Sequence, residues 1–469
     1  MTCLDLTALE RSVAIKDQRL AVVELMEATL DRIEAVNGAL NAIVSLRDRD
    51  DLMGEARAVQ DAPRKGWLHG IPIAIKDLAH ARGLPTSMGS PLFAGQVANY
   101  DEPMVARLRD AGAIVIGKTN VPEFGLGSHT FNPVHGTTVN PYDHGRTAGG
   151  SSGGAAVALA TGMLSVADGS DMMGSLRNPA GWNNVYGLRP TWGTVPSDPV
   201  GDVFMHQLAT LGPMARTPAD LAALLDTMTG PLAGQPLSVA AEATLPMLSQ
   251  PPGTLRIGWL GDWGGALPFE EGILPLSEAA LRQIGGLGHQ ISDVAAPFDA
   301  ARMWNSWTDL RSFSIASGLY PLFADAETRD RLKTSAQWEI ARGMTLTGTE
   351  LNTASLARSD WYHCCMDLFR EIDVLVLPSA QCWPFEVGME HVKEIAGVHM
   401  DTYHRWMQVV IPASLVGLPV VNIPIGFGDN GLPAGLQLIG PRGAEGRLLQ
   451  LAQQWHDLTD WPNARRPVI

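Results

Sequence analysis

Apolar and polar positions change period along the chain, and the changes predict alternating helices and strands. Residues about 18–36 place Val22, Leu25, Met26, Leu30 and Ile33 at helical spacing with charges opposite, which predicts an amphipathic helix. A second helix is expected at Asp50–Val59 and a third at Pro103–Asp110. The apolar runs Ile71–Ile75 and Ala113–Ile116 are too short for helices and read as strands. Gly153–Gly162 is small or apolar on every side, which predicts a buried central helix. Arg256–Leu260, Asp373–Leu377, Val420–Ile425 and Gly435–Ile439 add strands, residues about 274–370 read as mainly helical, and Glu445–Leu458 closes the chain as a helix. Residues 231–252 have no clear period and read as a connecting excursion. Such alternation predicts an α/β layered architecture with a sizeable sheet.

Composition narrows the class. The chain has 469 residues, 45% hydrophobic and 18% charged, as expected of a globular protein with a large core. Its net charge of −15, with no run of basic residues, argues against nucleic-acid binding. Cys3, Cys364, Cys365 and Cys382 show no metal-ligand or redox spacing, so a reducing compartment is expected. No signal-peptide pattern opens the chain. Residues 409–427 are apolar, but Pro412, Pro419 and Pro424 fit short strands and turns better than a membrane-spanning helix. A soluble, cytoplasmic protein without a membrane partner is expected.

Candidate chemistry lies in two glycine-flanked serine segments and one lysine. Thr147-Ala-Gly-Gly-Ser151-Ser152-Gly-Gly and Ser170-Asp171-Met172-Met173-Gly174-Ser175-Leu-Arg177 each carry possible reactive hydroxyls. Lys76 ends the run Ile71-Pro-Ile-Ala-Ile. Burial there disfavours the ammonium form and makes a neutral amine available as a base. Taken singly, each feature has an ordinary reading. Lys76 can pair with Asp77, Ser151 and Ser152 can cap the buried helix, and Ser175 can sit on a turn whose Asp171 and Arg177 pair. Lys118 is the rival base, with a structural role favoured. Gly149-Gly-Ser151-Ser-Gly153 also fits the G-x-S-x-G elbow of histidine-dependent esterases, but the polar, turn-rich residues before it supply no strand.

Together the segments resemble the amidase signature family. The likeness runs through Leu68-His-Gly-Ile-Pro-Ile-Ala-Ile-Lys76-Asp77, Arg107–Phe124, Asn140-Pro-Tyr-Asp, Arg146–Gly154, Gly187–Pro196 and the tail Gly417–Gly440, with residues about 230–370 matching least. It implies a single amidase domain, 1–469, built on a large mixed, mostly parallel twisted central sheet covered by helices on both faces. Residues about 230–370 are then a variable, largely helical substrate-pocket region. It also implies a Ser–Ser–Lys triad: Ser175 as nucleophile, Ser151 after a cis peptide as relay, and Lys76 as base. Backbone N–H groups of Met172, Met173, Gly174 and Ser175 would form the oxyanion hole, with Ser152, Asp171 and Arg177 as supports. No metal and no cofactor is expected. Many family members have two glycines before the nucleophile where this chain has Met173-Gly174, and Met173 cannot adopt conformations reserved for glycine.

The function implied is hydrolysis of C–N bonds in amides, with carbamates or esters as further substrates. Small-molecule substrates and a monomer or homodimer are expected. The alternatives are the amidase subunit of a tRNA-dependent amidotransferase and a catalytically silent binding protein. Trp304, Trp307, Trp338, Trp361, Trp383 and Trp406 are expected mostly in the core, with some available to line an apolar pocket.

Overall fold

The computed structural model describes residues 2–469. Its largest sheet has eight strands, in spatial order Gln290–Asp293, Arg256–Trp259, Val374–Pro378, Pro433–Ile439, Val420–Phe427, Tyr186–Arg189, Thr210–Ala215 and Val166–Asp171. A smaller three-stranded sheet sets Ile114–Thr119 between Ile43–Val44 and Pro72–Lys76. The α/β class and the large mixed sheet are as expected, but the balance of strand directions is not. In the large sheet only Arg256–Trp259 runs parallel to its neighbours, Gln290–Asp293 and Val374–Pro378. The remaining neighbours pair antiparallel. Parallel pairing needs a long crossover between strands. Here helix Ile273–Gly286 supplies one crossover, and the helices of residues 300–368 lie on the other. The tail strands Val420–Phe427 and Pro433–Ile439 instead return through a short turn, which makes them antiparallel.

The expected helices form at Val22–Leu40, Arg49–Gln60, Pro103–Asp110, Gly153–Ala160 and Glu445–Thr459. All eight residues of Gly153–Ala160 are buried. Glycine is required within it: a Cβ on Gly154 would lie 2.4 Å from the Asn120 nitrogen and 2.5 Å from the Ala42 oxygen. That contact brings the helix against the end of the strand next to Lys76. Residues 231–252 are irregular apart from a short 3-10 turn at Leu245–Ser249. Four helices of ten or more residues span much of 273–368, joined by loops and the edge strand Gln290–Asp293. The apolar 409–427 stretch divides into a short helix, Ile411–Leu415, and the strand Val420–Phe427. No helix among the described residues is long and apolar enough to cross a membrane. Trp304, Trp307, Trp361 and Trp406 are buried in one core cluster, while Trp338 is 38% exposed.

Candidate active site

Three elements converge on one buried point. Lys76 closes the strand Pro72–Lys76, Ser151 and Ser152 precede the buried helix, and Ser170 lies near the end of Val166–Asp171. Lys76 Nζ is 2.8 Å from Ser151 Oγ, 2.8 Å from Ser152 Oγ, 2.9 Å from Ser170 Oγ and 3.2 Å from the Ser170 carbonyl oxygen. The lysine is fully buried, and burial pushes its pKa down to about 7 against the charges of Asp168 and Asp171. A neutral amine has two N–H donors and one lone pair, so it cannot donate to all four oxygens. In that state the lone pair can accept a hydrogen bond from a surrounding hydroxyl, which is the arrangement a base needs before it takes a proton.

The loop carrying Ser151 is held from both sides. The Gly150–Ser151 peptide bond is cis. Ser128 Oγ donates to the Gly150 carbonyl (2.6 Å) and accepts from the Gly150 N–H (3.1 Å). Thr130 Oγ1 donates to the Gly149 carbonyl at 2.7 Å. Gly149 has φ +75°, and a Cβ there would sit 2.6 Å from Asn178 Oδ1, so both conformation and space call for glycine.

The segment after Ser170 turns around Asp171. Its carboxylate accepts from the Gly174 N–H (2.8 Å) and the Leu176 N–H (3.1 Å). Arg177 closes a two-pronged ion pair with it at 2.9 Å on each arm, and Arg189 Nη1 lies 3.3 Å away. Against the upward push of burial, the two guanidiniums hold the Asp171 carboxyl well below the usual carboxylate range. Arg177 also donates to Ser414 Oγ (2.6 Å) and Gln437 Oε1 (2.6 Å), which fixes the turn to the short helix Ile411–Leu415 and the strand Pro433–Ile439. The Asp171–Arg177 pair expected from sequence is present, as the anchor of the Ser175 turn.

The four N–H groups expected as oxyanion-hole donors differ in their bonding. The Gly174 N–H is donated to Asp171 Oδ1 at 2.8 Å. Among the described residues, the N–H groups of Met172, Met173 and Ser175 have no acceptor. The left-handed conformation falls on Gly174 (φ +85°), and Met173 is not among the non-glycine residues with positive φ, so the Met173 side chain fits without backbone strain. Met172 and Met173 both line a cavity of about 130 Å³, together with Ser151, Ser170, Ser175, Leu78, Phe124–Gly127, Ala209, Arg311, Ile315 and Met407. Ser175 Oγ has no hydrogen-bond partner among the described residues and faces the same cavity as Ser151. Ser152 is fully buried beneath it, where a Cβ on Gly169 would lie 2.8 Å from Ser152 Oγ. None of the tryptophans lines this cavity; its aromatic wall is Phe124.

Sequence reasoning did not single out Ser170, Asp168 or Arg311. Asp168 accepts from the Lys76 backbone N–H at 3.0 Å, and burial raises its carboxyl pKa to about 6. No group of three or more His, Cys, Asp or Glu among the described residues is placed to hold a metal ion.

A buried lysine among serine hydroxyls, beside a serine turn with free N–H groups, is an arrangement suited to acyl transfer. The amidase family profile matches residues 24–449. The chain belongs to the amidase family. This amidase is similar to an acylamidase of Rhodococcus erythropolis, 32% identical over 98% of this chain and 97% of that protein. It is similar to one subunit of the glutamyl-tRNA(Gln) amidotransferase of Chromohalobacter salexigens, 31% identical over 99% of each chain. Its fold matches that of a bacterial aryl acylamidase of the amidase signature family, with a TM-score of 0.90 and 27% identity over 98% of this chain and 99% of the other. The amidase is thus a hydrolase of amide C–N bonds.

Proposed function

We propose that this amidase uses Ser175 as nucleophile, Ser151 as proton relay and Lys76 as base, through an acyl-enzyme intermediate. The observation that carries the reading is Lys76: fully buried, with a pKa near 7, and 2.8 Å from a serine that opens onto the Ser175 cavity. Neutral Lys76 takes the Ser151 proton while Ser151 takes that of Ser175, and Ser175 Oγ bonds to the substrate carbonyl carbon. The N–H groups of Met172, Met173 and Ser175 receive the oxyanion. When the C–N bond breaks, the leaving nitrogen takes a proton from Ser151, which recovers one from Lys76. Water then enters by the same route, releases the acid and restores Ser175. The Ser151–Ser175 contact closes with substrate present, since catalytic hydrogen bonds are often long in unliganded sites.

Ser152 and Ser170 hold Lys76, while Asp171 and Arg177 hold the Ser175 turn. Residues about 230–370, within a single 1–469 domain, select the substrate; their contribution of Arg311 and Ile315 to the cavity supports this. Small-molecule amides are the substrates, with carbamates and esters as further candidates. The chain works in the cytoplasm as a monomer or homodimer, without nucleic acid.

A serine-reactive phosphonate tests the triad. Mass spectrometry is expected to find the adduct on Ser175, and Lys76→Ala is expected to abolish it. An adduct on Ser151 with Lys76 dispensable overturns the assignment. The similarity to the Chromohalobacter amidotransferase chain supports a second reading, as the amidase subunit of a tRNA-dependent amidotransferase. Glutamine hydrolysis that appears only with co-purified partner chains would select it.

A further inference from the structure

One charged group in the reaction cavity has no role in the triad. Arg311, on helix Ala300–Ala324, lines the same cavity as Ser151 and Ser175, with its side chain only 4% exposed. Its Nε donates to Glu339 Oε1 at 2.8 Å, and Nη2 donates to the Tyr403 hydroxyl at 2.7 Å. Nη1 reaches only the Met172 thioether sulfur, at 3.4 Å. Sulfur is a weak acceptor, so this face of a buried guanidinium is left without an oxygen partner. Met172 belongs to the turn that ends in Ser175, so the underused donor faces the space beside the proposed nucleophile.

The charge balance decides what kind of oxygen belongs there. Glu339 is buried, is held by Ser312 Oγ (2.9 Å) and the Tyr403 hydroxyl (3.0 Å), and already neutralises Arg311. A substrate carboxylate would bring a second negative charge to a paired cation and would lose its own hydration. A neutral carbonyl meets the N–H donor without that cost. Cavity size points the same way, since about 130 Å³ admits a compact group.

We propose that Arg311 Nη1 is a substrate-binding donor for a neutral carbonyl oxygen other than that of the scissile amide. The preferred substrates are then compact amides with a second, uncharged acceptor, over both hydrocarbon isosteres and carboxylate analogues. This rests on Ser175 being the nucleophile that opens onto the cavity.

Protection of Ser175 from the phosphonate gives the test. Malonamide and succinamide carry a second carbonyl, butyramide and valeramide replace it with hydrocarbon, and succinamate replaces it with a carboxylate. At least one of the diamides is expected to protect about tenfold better than its hydrocarbon isostere and better than succinamate. In Arg311→Met/Glu339→Gln, which removes both buried charges together, the preference is expected to fall to within about twofold. Persistent labelling of Ser175 in the variant reports that the nucleophile and fold survive. If that variant loses labelling, Arg311→Lys, which keeps a cation beside Glu339 but loses the planar fork, carries the comparison and is expected to narrow the preference. Equal protection by diamides and isosteres, no protection by any of them, stronger protection by succinamate, or a preference unchanged in the variants overturns the proposal. An adduct on a residue other than Ser175 instead defeats the nucleophile assignment.

Discussion

Lys76 and Lys118 lie on adjacent parallel strands, both fully buried, and burial pulls the pKa of each below the ordinary lysine value. Their register sets them apart. Lys118 pairs with Ile75, and Lys76 pairs with Thr119. Successive side chains on a strand point to opposite faces, so this one-residue offset sends the two amines to opposite sides of the small sheet. Lys118 finds the Asp77 carboxylate at 3.8 Å, Thr86 Oγ1 at 3.3 Å and the Ala79 carbonyl, while Asp77 is also held by Ser87 and faces His135 at 3.6 Å. Lys76 finds serine oxygens on the cavity side. Burial makes a low-pKa amine in both places. The partners decide its use: a carboxylate fixes a charge pair, whereas hydroxyls leave a lone pair free to take a proton and give it back.

The sharpest way to break this comparison is to truncate each lysine. Lys76→Ala is expected to lower kcat about 10³-fold or more at constant fold, the loss of a positioned base. Lys118→Ala leaves the buried Asp77 charge without its cation and is expected to cost about 3–5 kcal/mol of stability in denaturant unfolding. Turnover per folded molecule should then change by less than about tenfold. A collapse of turnover in folded Lys118→Ala would make Lys118 the base and reverse the assignment.

A smaller effect follows from titration. The base works only as the neutral amine, and its folded pKa is about 7. The neutral fraction is about one half at pH 7 and about one hundredth at pH 5, so kcat is expected to drop roughly fiftyfold from pH 7 to pH 5 and to level off above pH 8. A profile that is flat down to pH 5 contradicts Lys76 as base.

The two lysines also show how far the sequence could be read. Lys76 closing an apolar run, the two serine segments and the buried helix are local patterns, and each was legible. The strand Val166–Asp171 was not: Val-Ala-Asp-Gly-Ser-Asp carries one β-branched residue, and its place in the sheet depends on pairing with Thr210–Ala215, some forty residues on. Asp168 and Ser170 were lost with it. Arg311 was hidden for a related reason, because its partner Glu339 sits on a different helix and its cavity neighbours come from six distant segments. The mostly parallel sheet expected from resemblance gave way to mainly antiparallel pairing; a short return accounts for the pair Val420–Phe427 and Pro433–Ile439, whereas the other antiparallel neighbours are distant in sequence and set by the tertiary fold. The bond from the Gly174 N–H to the Asp171 carboxylate also became visible only in the fold.

The smallest effect separates the two serines that Lys76 touches at the same 2.8 Å distance. Ser151 lines the cavity with Ser175, whereas Ser152 is sealed beneath it against the Val166–Asp171 strand. Distance to the lysine therefore cannot distinguish relay from support, but access to the cavity can. Ser151→Ala removes the hydroxyl through which the proton moves and is expected to lower kcat by about 10²-fold or more. Ser152→Ala removes one of several oxygens around the amine, and Ser170 Oγ still holds Nζ at 2.9 Å. Its expected loss is about tenfold or less, the worth of one hydrogen bond, with the pH midpoint still near 7. Steady-state rates for the two variants across pH 5–9 read this difference directly. If Ser152→Ala proved as damaging as Ser151→Ala, the proton route would have to pass through the sealed serine, and the contrast between a hydroxyl that relays and one that holds would fail.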